Sequence, residues 1–199
     1  MKTNSILNAS LLACLVVLTG CKDASQAPAT PASKQAPAAP VSLAAIASEA
    51  KGFTVGSTMS VRTVYVFFDP QCPHCSALWV AARPLKSQAK FVWIPVGLLN
   101  AASAPQGAAL LAAPDPAAAM DAHEASMTEK KGGITAIGNL DAQKAAVEAN
   151  TRLMNRFQFG SVPTVVGKHA VTGDLVVREG SMPTAVLANA LGLQPPAGN

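Results

Sequence analysis

The stretch VYVFFDPQCPHCSALW, residues 64–79, contains the features that decide the fold. Its first five residues belong to an apolar, β-branched and aromatic run over residues 61–68, which predicts a buried strand. Asp69-Pro70 is a turn signal, and a helix is predicted from residue 72 to about residue 88. Cys72 therefore lies where a strand gives way to a helix N-terminus, whose unpaired N–H groups and partial positive charge stabilise a thiolate.

Cys72 and Cys75 are spaced to work as a redox pair. They are one helical turn apart, and an accessible thiol of low pKa beside a second thiol suits thiol–disulfide exchange. Zinc requires four ligands, and His123 and His169 stand at no recognisable ligand spacing. A c-type haem site requires a histidine directly after the second cysteine, where Ser76 stands. A purely structural disulfide over so short a loop would add little stability. We therefore expect a redox pair, with no metal site and no cofactor.

The N-terminus predicts export. Lys2 precedes a short apolar run at residues 6–18, which is typical of a secretory signal and too short for a comfortable membrane span. The run ends in Leu-Thr-Gly-Cys21, which resembles the lipobox of bacterial lipoproteins. That resemblance implies a lipoprotein signal peptide over residues 1–20 and lipidation of Cys21; ordinary cleavage nearby, leaving Cys21 free, is the alternative. We expect a membrane-anchored lipoprotein of the periplasm, an oxidising compartment.

Composition divides the rest of the chain. The 199 residues are 50% hydrophobic and carry a net charge of +4 from scattered basic residues, which is not a nucleic-acid footprint. Residues 21–40 form an Ala/Pro-rich tether that cannot bury a core. Residues 41–60 are predicted as a linker helix, capped by Ser42, and a turn-rich stretch at 52–60 that can include a short strand. The catalytic domain is predicted over residues 61–193, followed by a tail at residues 194–199.

Within residues 61–193 the pattern alternates between strands and helices. After the first strand and helix it predicts a second strand, an inserted helical block, a hairpin of two strands and a last helix. The second strand falls at residues 90–99 and the helical block at 104–126 and 141–157. The hairpin strands fall at 159–166 and 174–178, and the last helix at 183–191. Pro84 predicts a kink in the first helix, Pro95 an edge position or bulge in the second strand, and Asp141 an N-cap. The order predicts an α/β domain with a thioredoxin-like fold and a helical insertion.

The chain resembles a known family over about residues 61–193. The residues that carry the likeness are FDPQCPHC at 68–75, Leu78-Trp79 and Ala82-Arg83-Pro84. They are similar to the catalytic domain of the DsbC/DsbG-type periplasmic thiol:disulfide interchange proteins, the DsbG type in particular. The Cys-Pro-His-Cys tetrapeptide itself is the one found in DsbA. The resemblance implies a protein thiol:disulfide oxidoreductase acting as a reductase, isomerase or oxidase.

The resemblance also implies roles for individual residues. Cys72 would attack the client and Cys75 would resolve the mixed disulfide, while Pro73 and His74 would tune the thiolate. Val162 and Pro163 would form the substrate-facing loop, with Pro163 in cis. Thioredoxin and DsbA place a buried acid six residues before the first cysteine, where this chain has Val66. That leaves Asp69 to cap the turn or assist proton transfer.

Partners follow from the same likeness. Clients would be exported proteins with thiols or disulfides, and the redox partner would be a DsbD-type membrane reductant or a DsbB-type oxidant. The tether occupies the place of the family's N-terminal dimerisation domain, so we expect a monomer. Two other functions remain as alternatives: a module that handles a soft metal such as copper(I) through Cys72 and Cys75, and a non-catalytic assembly lipoprotein on the same fold.

Overall fold

Strand β2, Thr63–Phe68, lies at the centre of a five-stranded mixed sheet in the computed structural model, which describes residues 39–196. The strand order is β1-β3-β2-β4-β5; β2 and β3 are parallel and the other neighbours are antiparallel. The remaining strands are β1 Phe53–Gly56, β3 Lys90–Pro95, β4 Thr164–Lys168 and β5 Leu175–Glu179. The helices are α1 Leu43–Glu49, α2 Pro73–Ala82, α3 Ser103–Ala112, α4 Pro116–Thr128, α5 Asp141–Arg156 and α6 Thr184–Leu191.

The central strand is buried on both faces, which explains its nearly continuous apolar sequence. Val64, Val66 and Phe68 face a core shared with α2, α4 and α6. Phe67, on the opposite face, packs in a second core with α1 and α5. The sheet therefore holds the end of β2, where the cysteine motif begins, between two packed layers.

The α/β class and the helical insertion are confirmed. Helices α3, α4 and α5 follow one another between β3 and β4. The expected break at Pro84 is present, because α2 ends at Ala82 and a single 3₁₀ turn, Arg83–Leu85, follows. Asp115 caps α4 by accepting hydrogen bonds from two backbone N–H groups, and Pro116 occupies the first helical position. Local turn chemistry thus set the boundary between α3 and α4 within the insertion.

The predicted linker over residues 41–60 is a part of the domain. Ser42 caps α1 as expected, but Ile46 is fully buried, and β1 pairs with β3 at the edge of the sheet. Phe53 contacts the rings of Phe68 and Trp79 edge to face. The domain therefore begins before residue 61, because this apolar surface is covered only when the segment packs on the sheet.

Two local predictions were wrong. Strand β3 is an interior strand between β1 and β2, and Pro95 is tolerated because it is the last residue of the strand, beyond the pairing with β1. The N-cap of α5 is Leu140, and Asp141 lies in the first turn. There its carboxylate still faces the positive end of the helix.

Some predictions lie outside the described residues. These are the signal peptide at 1–20, Cys21, the tether as far as residue 38 and the end of the tail at 197–199. Within residues 39–196, no helix is both long enough and apolar enough to cross a membrane.

Candidate active site

Cys72 occupies the N-cap position of α2, at the end of the turn that leaves β2. Its backbone carbonyl accepts hydrogen bonds from the N–H groups of Cys75 and Ser76, which fixes the first turn of the helix. Cys72 is 7% exposed, so only a small part of the residue is open to solvent. This placement brings the positive end of the helix to the sulfur, as the sequence predicted.

The two thiols of the motif have opposite ionisation preferences. The Cys75 S–H, with the backbone N–H groups of Cys75 and His74, stabilises the Cys72 thiolate and lowers the pKa of Cys72 to about 6 against the opposing effect of burial. Burial raises the pKa of Cys75 far above its usual range, and the adjacent Cys72 sulfur adds to the rise. Both thiols are free in the structure. Of the two thiols, Cys72 is therefore the one that ionises near neutral pH, and Cys75 stays protonated.

The loop before β4 faces Cys72. The Val162–Pro163 peptide bond is cis, the geometry that the resemblance implied. The Val162 carbonyl oxygen lies 3.5 Å from the Cys72 sulfur, which donates to it as a thiol. Pro163 is buried and Val162 half-buried, and their backbone lies beside the Cys72 sulfur.

His74 lies at the surface. Its charge is the smallest of the influences that lower the pKa of Cys72. Its Nδ1 atom lies 3.5 Å from the hydroxyl of Ser181, in the segment before α6. The histidine therefore contributes to thiolate stability less than the thiol of Cys75 does.

Asp69 is a buried acceptor that holds two loops together. Its Oδ1 accepts a hydrogen bond from the Gln71 N–H at 2.8 Å. Its Oδ2 accepts from the N–H groups of Leu98 and Leu99 at 2.7 and 3.0 Å, after the end of β3. The charge of Asp69 also raises the pKa of the Cys75 thiol. The turn-capping role expected for Asp69 is present and extends to a second loop.

The sequence did not predict a polar network behind the motif. His123 is fully buried; its Nε2 lies 2.7 Å from the Pro70 carbonyl oxygen and its Nδ1 accepts from the Ile134 N–H. Since a carbonyl can only accept, Nε2 carries the proton and the ring is the neutral tautomer. Gln106 donates to the carbonyls of Gly132 and Ile134. These contacts tie the loop after α4 to the turn before Cys72.

A cavity of about 170 Å³ lies directly beside Cys72, between α2 and α4. Its walls include Pro73 and Ser76 from α2, and Glu124 and Met127 from α4. Nothing in the local pattern of α4 distinguished Glu124 from a solvent-facing glutamate, so the sequence analysis missed it. Among residues 39–196, no group of three or more His, Cys, Asp or Glu side chains is arranged to hold a metal ion.

Known proteins resemble this chain in sequence. No family model matches the chain. The chain is 30% identical over 140 residues to the thiol:disulfide interchange protein DsbG of Pseudomonas aeruginosa, covering 69% of this chain and 54% of that protein. It is 33% identical over 104 residues to DsbG of Escherichia coli K12, covering 51% of this chain and 42% of that protein. The chain is related to the DsbG thiol:disulfide interchange proteins. It spans about half the length of these curated relatives.

Solved structures show the fold of this DsbG relative. A periplasmic thioredoxin-like protein from Salmonella enterica serovar Typhimurium superposes with a TM-score of 0.59 at 15% identity, covering 75% of this chain and 92% of that one. At that identity the match shows the architecture alone. The thioredoxin-like fold with a helical insertion, predicted from the order of elements, is confirmed.

Proposed function

We propose that this DsbG relative is a periplasmic thiol:disulfide oxidoreductase that exchanges disulfides with exported proteins. The observation that carries the proposal is the position of Cys72, which caps a helix with its pKa lowered to about 6 and faces the Val162 carbonyl at 3.5 Å. A thiolate stabilised in the folded protein is both a ready nucleophile at neutral pH and a good leaving group.

In the proposed reaction Cys72 and Cys75 act in sequence. The Cys72 thiolate attacks one sulfur of a client disulfide, and the other client sulfur leaves as a thiolate. Cys75 then loses its proton and attacks the Cys72 sulfur, which releases the client and forms the Cys72–Cys75 disulfide. The dithiol loses two electrons and the client disulfide gains two. In the reverse direction the oxidised pair donates its disulfide to a client dithiol.

The remaining site residues are proposed to position the client and tune the pair. Val162 and Pro163 present a backbone edge beside Cys72, along which an extended client segment would lie. Pro73 and His74 would adjust the stability of the thiolate. The proposed client class is exported proteins with thiols or disulfides. The names of the relatives support disulfide exchange, and the predicted signal peptide supports clients in the same compartment.

We further propose that the protein is held at the membrane through lipid on Cys21 and acts as a monomer. The support for the anchor is the Leu-Thr-Gly-Cys21 sequence after a short apolar run. Expression of the full chain beside a Cys21→Ala variant, followed by separation of membrane and soluble periplasmic fractions, tests it. The wild type should stay with membranes and the variant should be soluble; equal partition would refute the anchor.

The reduction potential of the Cys72–Cys75 pair, measured by equilibration with glutathione, tests the proposed activity. An oxidising value, near that of strong disulfide donors, would assign a donor served by a DsbB-type oxidant. A reducing value would assign a reductase kept reduced by a DsbD-type partner. Failure of the two cysteines to form a disulfide under oxidising glutathione would refute the function.

A further inference from the structure

Glu124 is a buried carboxyl in the wall of the cavity beside Cys72. It is only 8% exposed, and it lies on α4 in the helical insertion. The exchange reaction described above makes no use of it. A glutamate so nearly buried ordinarily has a cationic partner.

No cationic partner of Glu124 is found among residues 39–196. The ion pairs in this part of the chain are all formed by other acids. Burial raises the pKa of the Glu124 carboxyl, although a hydrogen bond from Ser76 opposes the rise. The His123 ring is the neutral tautomer, because Nδ1 accepts from Ile134 and Nε2 donates to Pro70, so it supplies no full counter-charge. The cavity thus contains a desolvated acid without its counter-charge.

The shape of the cavity suits a long cationic side chain. Its rim includes the exposed residues Pro73 and Thr128, so a side chain can enter from the surface. Met127 and Pro73 can contact the aliphatic part of such a side chain, and the Glu124 carboxyl can pair with its ammonium or guanidinium group. Cys72 lines the same cavity, so the occupant would belong to the segment that carries the attacked sulfur.

We propose that this cavity is a specificity subsite that binds a lysine or arginine side chain next to the client cysteine, through an ion pair with Glu124. The inference rests on the proposed exchange function and names the client sequences that the site prefers. Glu124 is assigned binding alone, so it should change which client reacts fastest while the order of bond breaking stays the same.

Three peptides that differ at one position test the subsite. Each contains one cysteine joined to glutathione, with lysine, alanine or glutamate beside that cysteine. Reduced protein is mixed with each peptide, and release of the peptide thiol is followed by chromatography after an acid quench. Cys72 attacks the peptide sulfur, glutathione leaves, and Cys75 then releases the peptide thiol. We expect the lysine peptide to react faster than the glutamate peptide by on the order of tenfold, the size of a charge-assisted hydrogen bond.

Substitutions on α4 and at its end assign the preference to one carboxyl. Glu124→Gln should bring the lysine-to-glutamate rate ratio within about twofold, and Glu124→Asp should leave a reduced preference. Glu129→Gln makes the same charge change at an exposed acid that follows the helix and pairs with Lys131, and it should keep the full ratio. The net charge of +4 would favour the acidic peptide, so a preference for lysine cannot come from the overall field.

The outcomes separate the two proposals. Equal rates for the three peptides, or an unchanged ratio in Glu124→Gln, would overturn the subsite and leave the exchange function standing. The absence of exchange with every peptide would overturn the exchange function itself. Circular dichroism verifies that each variant is folded. If Glu124→Gln does not fold, Glu124→Asp tests whether the preference for lysine depends on this carboxyl.

Discussion

The thiol of Cys75 is the largest influence that lowers the pKa of Cys72. With a pKa of about 6, about 90% of Cys72 is thiolate at pH 7, against about 1% for a thiol at the ordinary value of 9.0. Cys75→Ala removes the S–H donor from this buried position. A hydrogen bond to a charged group contributes about 1.5–3 kcal/mol, or about one to two pKa units. The thiolate fraction of Cys72 at pH 7 should therefore fall to about 10–50%.

The thiolate absorbance in the ultraviolet, followed against pH, measures this change directly. Cys75→Ser is the matched control, because its hydroxyl keeps a donor at the same position and likewise prevents disulfide formation. The midpoint for the alanine variant should lie above that for the serine variant, and the rate of alkylation by iodoacetamide at pH 6 should fall in step. Equal midpoints would refute the assignment of the low pKa to the Cys75 hydrogen bond and leave the helix N-terminus as its cause.

Three further predictions follow from the same geometry. The folded-state pKa of Cys72 lies below that of the unfolded thiol, so ionisation of Cys72 stabilises the reduced protein. This stabilisation is full above pH 9 and is lost as the pH falls through 6. Urea unfolding should show a loss of about 1.4 kcal/mol between pH 7 and pH 5, and the Cys72→Ser variant should not show this loss. His74→Ala should lower the reduction potential by on the order of 10 mV, and an unchanged equilibrium with glutathione would contradict this. Asp69→Asn replaces a carboxylate that accepts from three backbone N–H groups, so it should lower the unfolding free energy by about 1–3 kcal/mol. The exposed control Asp174→Asn should lose less. An equal loss in the two variants would argue against a role of Asp69 in holding two loops together.

The motif and most element boundaries could be predicted because they depend on neighbours along the chain. The apolar run of β2, the turn at Asp69-Pro70 and the prolines that break the helices each act over a few residues. The same local signals were weaker for β1, a strand of four residues in a turn-rich stretch at 52–60 where the pattern allowed a short strand. Only its pairing with β3 and the contact of Phe53 with Trp79 make it a strand.

Pro95 shows the opposite limit. Its missing N–H suggested an edge strand, but the position within the sheet depends on which strands add on either side, and β1 occupies the edge. Glu124 likewise carried no local signal of burial. Its environment is formed by α2, which is distant in sequence and meets α4 only after the chain has folded around the sheet.

The sequence by itself determined the local structure around the cysteine pair. A strand and a turn lead to a helix whose N-cap is Cys72, and the second thiol follows one turn later. These features arise from backbone preferences and side-chain periodicity within a short segment. The tertiary structure alone decided what surrounds the thiolate. It brought the Val162 carbonyl, 90 residues away in sequence, to 3.5 Å from the sulfur, and it brought the N–H groups of Leu98 and Leu99 onto Asp69. Contacts between distant segments depend on the path of the whole chain, and no local pattern encodes that path.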